Sequence, residues 1–150
     1  MAFTKAVLLC LVFVIIEAFS FSRNGKVWFE NLKQPKYSFP LLVWYVIGGV
    51  YYLICGTIAY RLFASSLSLF SFPITLLTLM MLINALTNII LFKLRSLKLF
   101  YWILYPFTVI TIILFLILLQ IDIPSAGLLL VYLIWLAYDF YYFRNLRKLN

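Results

Sequence analysis

The sequence predicts an all-α polytopic membrane protein, a bundle of five transmembrane helices formed over residues 1–150, and three observations lead there. Of the 150 residues, 67% are hydrophobic and 11% charged, whereas a soluble domain carries about 25% charged residues to coat its surface. The apolar residues fall into stretches of about 20, the length that crosses the hydrocarbon core as a helix. The 12 Lys and Arg outnumber the 4 Asp and Glu, and they collect in alternate connections, as topology-setting charge does. With no His and only two isolated Cys, the chain offers no imidazole base, no zinc set and no haem ligation through His.

The first span is read at 3–21. Lys5 ahead of "AVLLCLVFVII" also fits a cleaved signal peptide, but "EAFSFS" is a poor cleavage site and Glu17 is unusual in such a segment. The one long connection, 22–40, mixes aromatic and basic residues. It reads as a lid over the bundle and, equally, as an interfacial segment on anionic headgroups. The second span covers 41–63 and the third 71–92, divided where Arg61, a run of serines and Pro73 interrupt an apolar stretch too long for one crossing. Lys93, Arg95 and Lys98 separate the third span from the fourth, 97–119. Asp122 and Pro124 are the breakers before the fifth, 124–143.

Five crossings place the connections alternately on two sides. One side holds Arg23, Lys26, Lys33, Lys36, Lys93, Arg95, Lys98, Arg144, Arg147 and Lys148, and the other only Lys5 and Arg61. The bias predicts an outside N-terminus and a cytoplasmic C-terminus. It also makes the net charge of +8 a feature of topology, so no nucleic-acid partner is expected.

Function has to come from the few polar residues inside the spans. A charge at the centre of a membrane helix costs about 2.5–3.5 kcal/mol on insertion scales, so Glu17 and Asp139 need a reason. Snorkelling or pairing with loop lysines is one; lining a polar cavity is the other. In the third span Asn84, Thr87 and Asn88 share a face. In the fifth, Tyr132, Trp135, Asp139 and Tyr142 form an aromatic and polar stripe. The second enters at Trp44 and Tyr45 and continues along a small face of Gly48, Gly49, Tyr52, Gly56 and Ala59. Close helix packing and interhelical hydrogen bonds account for each stripe singly. Their convergence in one half of the membrane points to a ligand cavity with aromatic walls and a few polar groups.

These residues resemble the translocator protein/tryptophan-rich sensory protein (TspO/MBR) family of five-helix membrane proteins. The resemblance rests on Trp28, Leu32, Pro35 and Pro40 in "VWFENLKQPKYSFP", with Tyr37 in the place of a family Trp. Further matches are Tyr52, Gly56 and Tyr60; Asn84, Phe92 and Arg95; and Leu128, Tyr132, Leu133 and Trp135. The spacing agrees along about residues 28–150. The chain departs from the pattern at Phe39, at Gly48 and Thr87 in two Trp positions, at Val131, at Asp139 where the family has Ala, and at Tyr142 and Phe143.

The resemblance implies ligands of the tetrapyrrole or sterol kind, with porphyrin or haem entering as ligand and no resident cofactor. It also implies homodimers, and whether the glycine face of the second span meets a second copy or its own chain is open. Porphyrin photodegradation, proposed for some members, is linked to pocket tryptophans of which two are replaced here, so a non-enzymatic role is expected. Leu136, Tyr138 and Arg144 can be written as a sterol pattern.

The expectation is thus a sensor, carrier or regulator that binds a hydrophobic small molecule through Trp44, Asn84, Thr87, Asn88, Tyr132, Trp135, Tyr138 and Asp139. Trp28, Lys33, Pro35, Tyr37 and Pro40 belong to the lid, and Lys33 or Lys36 meets ligand carboxylates at the mouth. The rivals are a small proton-coupled multidrug transporter working through Glu17 and a structural or assembly subunit without ligand. Lipid is a partner throughout, and the Lys-, Ile- and Phe-rich usage suggests a bacterial plasma membrane.

Overall fold

The computed structural model describes residues 1–20, 22–65, 68–69 and 71–150. These form six helices: α1 (Ala2–Ala18), α2 (Arg23–Glu30), α3 (Leu41–Ala64), α4 (Phe72–Phe92), α5 (Leu97–Ile121) and α6 (Ile123–Leu149). Helices α3 to α6 are each long and apolar enough to cross a membrane. Helix α1, with 17 residues, rises about 26 Å at 1.5 Å per residue, close to the roughly 30 Å of hydrocarbon. Their outward faces carry exposed Leu53, Trp102, Val131 and Ile134, surfaces that only lipid tails solvate well. The chain is an integral membrane protein.

The predicted second to fifth spans coincide with α3 to α6 to within a few residues, except that α6 runs on to Leu149. The extension carries Arg144, Arg147 and Lys148, so the apolar pattern ends while the helix continues. At the other end of the list, α1 stops at Ala18 rather than residue 21, and the hydroxyl of Ser20 donates to the carbonyl of Glu17. Phe21 of the predicted first span, and Ser66, Leu67 and Phe70 of the predicted break, lie outside the described residues.

Connection 22–40 needs a correction, because it is not one continuous lid. Ser22 caps α2 by accepting from the Gly25 amide at 3.3 Å, and α2 buries Gly25 and Phe29 against α4. The rings of Phe29 and Phe92 are 5.9 Å apart. Trp28 therefore sits on this helix, half-buried, and residues 31–40 are the part that runs along α6. Gly25 is required here, since a Cβ would lie 2.1 Å from the carbonyl oxygen of Phe92.

Helix α1 packs against α3 and α4, α3 against α6, α6 against α5, and α5 against α4, which closes a ring; α3 also touches α4 across it. Pro40, Pro73 and Pro124 stand at helix starts, where the missing N–H costs nothing. Pro106 lies inside α5, as membrane helices tolerate. Arg95, in the left-handed region at φ 51°, turns the chain between α4 and α5, and Ser96 caps α5 through the Leu99 amide.

Contacts group the two ends as the charge count expects. The ammonium of Lys5 lies 5.9 Å from the ring of Phe63, and nearby Arg61 binds Asp122 through Nε to Oδ2 at 2.8 Å and Nη2 to Oδ1 at 2.7 Å. At the opposite end α2 meets the last turn of α4, and Asn150 pairs with the lid.

Candidate functional site

A cavity of about 360 Å³ opens inside the ring, toward the end that carries α2 and the lid. Every bundle helix supplies part of its wall. Helix α1 brings Val14 and Glu17, α3 brings Trp44, Gly48, Gly49 and Tyr52, α4 brings Asn84, Thr87 and Asn88, α5 brings Phe100, Leu104 and Phe107, and α6 brings Tyr132, Trp135, Asp139 and Phe143. Seven of the eight predicted binding residues thus border one space. The eighth, Tyr138, does not; it faces the lid and donates its hydroxyl to the carbonyl of Tyr37 at 2.8 Å.

Glu17 does not snorkel and pairs with no loop lysine. Tyr52 donates its hydroxyl to Oε2 at 2.5 Å, Asn88 Nδ2 donates to Oε1 at 2.9 Å, and Asn84 Nδ2 reaches Oε2 at 3.5 Å. Three helices supply this cluster, which follows the rule that polar groups in the apolar slab find partners among themselves. Asn84 and Asn88, expected among the ligand-binding residues, are engaged with Glu17, while the hydroxyl of Thr87 donates to the carbonyl of Asn84 at 2.6 Å.

Asp139 differs. It is 8% exposed, no cationic side chain stands among the described residues lining the cavity, and its Oδ1 is buried without a hydrogen-bond partner. The indole Nε1 of Trp44, on the same wall, is also buried without a partner. The hydroxyl of Tyr51, also in the lining, is a third such group; most buried polar atoms in folded proteins are bonded, so these unpaired groups on a single cavity mark where polar groups are still wanted.

Aromatic rings surround these groups. The ring of Trp44 lies 5.3 Å from Trp135, 4.8 Å from Tyr142 and 5.6 Å from Phe143. Tyr132 sits 4.8 Å from Tyr51 and 6.2 Å from Phe107. Gly48 and Gly49 leave the α3 wall open, for a Cβ at either would meet nothing within 4 Å. At Gly56 a Cβ would instead lie 3.3 Å from the Cys10 sulfur, so this glycine packs against α1 of its own chain.

The lid, residues 31–40, is fastened to α6. Phe39 stacks on Trp135 with centroids 6.1 Å apart, Tyr142 donates to Gln34 Oε1 at 2.6 Å, and Asn150 exchanges two hydrogen bonds with the backbone of Lys33, at 2.9 and 3.1 Å. Pro35 is buried beneath it and Pro40 starts α3. Lys33 and Lys36 are exposed and neither borders the cavity; the ammonium of Lys36 lies 5.6 Å from the ring of Tyr37. They do not stand where a ligand carboxylate inside the cavity would meet them. The sterol pattern also fails as a surface, because Leu136 is 1% exposed inside the bundle while Arg144 is exposed.

Sequence reasoning missed the α5 wall. Phe100, Leu104 and Phe107 have helical spacing, but in a span apolar all round that spacing carries no contrast.

No individual curated protein matches the sequence. The model of the TspO/MBR family matches residues 6–144, which takes in α1 from Ala6 onward and every residue of the cavity wall; the chain belongs to the TspO/MBR family, and is a membrane protein of the ligand-binding or transport-related kind.

Proposed function

We propose that the protein binds a flat or elongated hydrophobic molecule in this cavity, of the tetrapyrrole or sterol-like kind that the family suggests, and acts as a sensor, carrier or regulator rather than an enzyme. The observation that carries the reading is the pair of buried, unpartnered atoms, Trp44 Nε1 and Asp139 Oδ1, on an aromatic cavity of about 360 Å³. That volume lies in the range of small-molecule sites, roughly 300–1,000 Å³. A ligand contributes apolar area to Trp44, Trp135 and Phe107 and polar atoms to the two unfilled groups. The lid closes behind it through Phe39 and Tyr142. The end bearing ten basic residues faces the cytoplasm on this reading, so ligand enters from that side or from the adjacent leaflet.

The test is a titration of the purified protein with protoporphyrin and with a sterol, followed by tryptophan fluorescence. Saturable quenching is expected with at least one of them, and it should weaken in Trp135→Phe. Quenching that survives unchanged in Trp135→Phe and Trp44→Phe places the ligand elsewhere, and no saturable quenching by any hydrophobic ligand removes the reading.

A further inference from the structure

Resting on the ligand-binding reading above, we infer that the cavity selects lipophilic cations, flat molecules carrying a protonated amine or amidine nitrogen, over neutral and anionic molecules of the same shape. Two carboxyl groups, Glu17 and Asp139, face the cavity, and among the described residues lining it there is no Lys or Arg. Inside a bilayer such an imbalance acts at close range, because there is little water to screen it. The lysines of the lid point elsewhere.

The two carboxyl groups are not equivalent. Glu17 has its oxygens occupied by Tyr52, Asn84 and Asn88, three donors that hold it against the helix interface. Asp139 has an oxygen buried with nothing bound to it. A cationic N–H fills that vacancy with a charge-assisted hydrogen bond, the stronger class of such bonds. A cation favours the charged form of Asp139 by giving the buried carboxyl the partner it lacks, whereas an anion finds no cationic side chain among the described lining residues and a neutral molecule gives the oxygen a weaker bond or none.

The walls suit the same ligand. Trp44, Trp135 and Tyr132 present aromatic faces around Asp139, and a cation over such a face gains from the ring quadrupole, most of all when desolvated. Tyr132 lines the same cavity as both carboxyl groups. Trp44 Nε1 supplies an unfilled donor for an ether or carbonyl oxygen elsewhere on the ligand.

Three acridines of nearly one shape make the test: 9-aminoacridine as the cation, 9-methylacridine as the neutral isostere and acridine-9-carboxylate as the anion. Each is titrated into the purified full chain in a non-ionic detergent and read by quenching of tryptophan emission. The cation is expected to bind roughly 10- to 100-fold more tightly than the neutral probe, and the anion more weakly than either. In Asp139→Asn the ratio of cation to neutral affinity should fall about tenfold or more, with circular dichroism and thermal melting reporting that the variant is folded. Asp139→Ala provides the second variant. Equal affinity for cation and neutral probe overturns this inference alone and leaves the binding reading intact. So does a cation preference that persists in both variants. Failure of all three probes to bind saturably overturns the inference together with the reading beneath it.

Discussion

Asn88 reaches from α4 to Glu17 of α1, placing its Nδ2 2.9 Å from Oε1, while Tyr52 of α3 bonds the other oxygen of the same carboxyl group. One acidic side chain therefore ties three helices together. Interhelical hydrogen bonds in membranes average about 0.6 kcal/mol and reach about 1.7, and removing one partner leaves the other unsatisfied at a cost of about 1–3 kcal/mol. Tyr52→Phe and Asn88→Ala should each destabilise the bundle by about 1 kcal/mol. Combined with Glu17→Ala each loss should be less than additive, which a double-mutant cycle of unfolding free energies in detergent will show. Additive losses would mean that the cluster holds nothing together.

Two glycines of similar appearance should respond in opposite directions to alanine. In a helix interior the change gains about 1 kcal/mol of propensity. At Gly48 nothing opposes it, since the methyl group enters the cavity, so Gly48→Ala should raise the melting temperature while leaving less room for ligand. At Gly25 the methyl group would lie 2.1 Å from the Phe92 carbonyl oxygen. Overpacking of this kind costs about 1–3 kcal/mol, and Gly25→Ala should lower the melting temperature and expose α2 to protease.

The forked bond between Arg61 and Asp122 predicts a pH dependence. Arg61 holds the carboxyl of Asp122 below its ordinary range, with Ser125 adding a further hydrogen bond. A carboxyl whose folded value is depressed contributes stability that is complete above its unfolded value, about 3.9, and is lost as pH falls through the lower folded value. The melting temperatures of the wild type and Asp122→Asn should differ at pH 7 and converge as pH falls through the depressed folded value. The gap should narrow with salt, because Arg61 is exposed at its 41% side-chain accessibility. A gap independent of pH would show that the ion pair is not its source.

The lid should loosen when its fastenings are cut. Each lost hydrogen bond is worth about 0.5–1.5 kcal/mol, which converts to a roughly two- to tenfold rise in local opening. Hydrogen exchange of the peptide over residues 31–40 should speed up by that factor in Tyr142→Phe and more in Asn150→Ala, which loses both bonds to Lys33. Exchange in α4 and α5 should stay as it was.

Much of this molecule was legible because polar residues are rare in it. Lys93, Arg95 and Asp122 interrupt apolar runs of the right length, so four helices could be placed to within a few residues. Asn84, Thr87, Asn88 and Asp139 stood out against an apolar background, and they do meet in one cavity. Three things stayed hidden for physical reasons. Eight residues of α2 are too few, and too mixed with charge, to display a period, and its burial depends on a carbonyl of α4 that no local pattern announces. The α5 wall is apolar in an apolar span. The difference between Glu17 and Asp139 lies in which neighbours arrive from other helices: the first is met by three donors and the second has an oxygen met by none, although both look like acids near the same end of a span.

The three donors that satisfy Glu17 lie 35, 67 and 71 residues further along the chain. During synthesis α1 must enter the membrane before any of them has left the ribosome. Until α3 is made the first helix carries an acid with no partner, and until α4 is made an acid with Tyr52 alone, in a segment of 17 residues, short for a span. Its residence in the bilayer is thus provisional, and assembly of the bundle is what makes it permanent. Ribosome-bound chains cut before residue 84 should leave α1 easier to extract with alkali than chains cut after residue 100, and equal extraction would show that α1 inserts unaided.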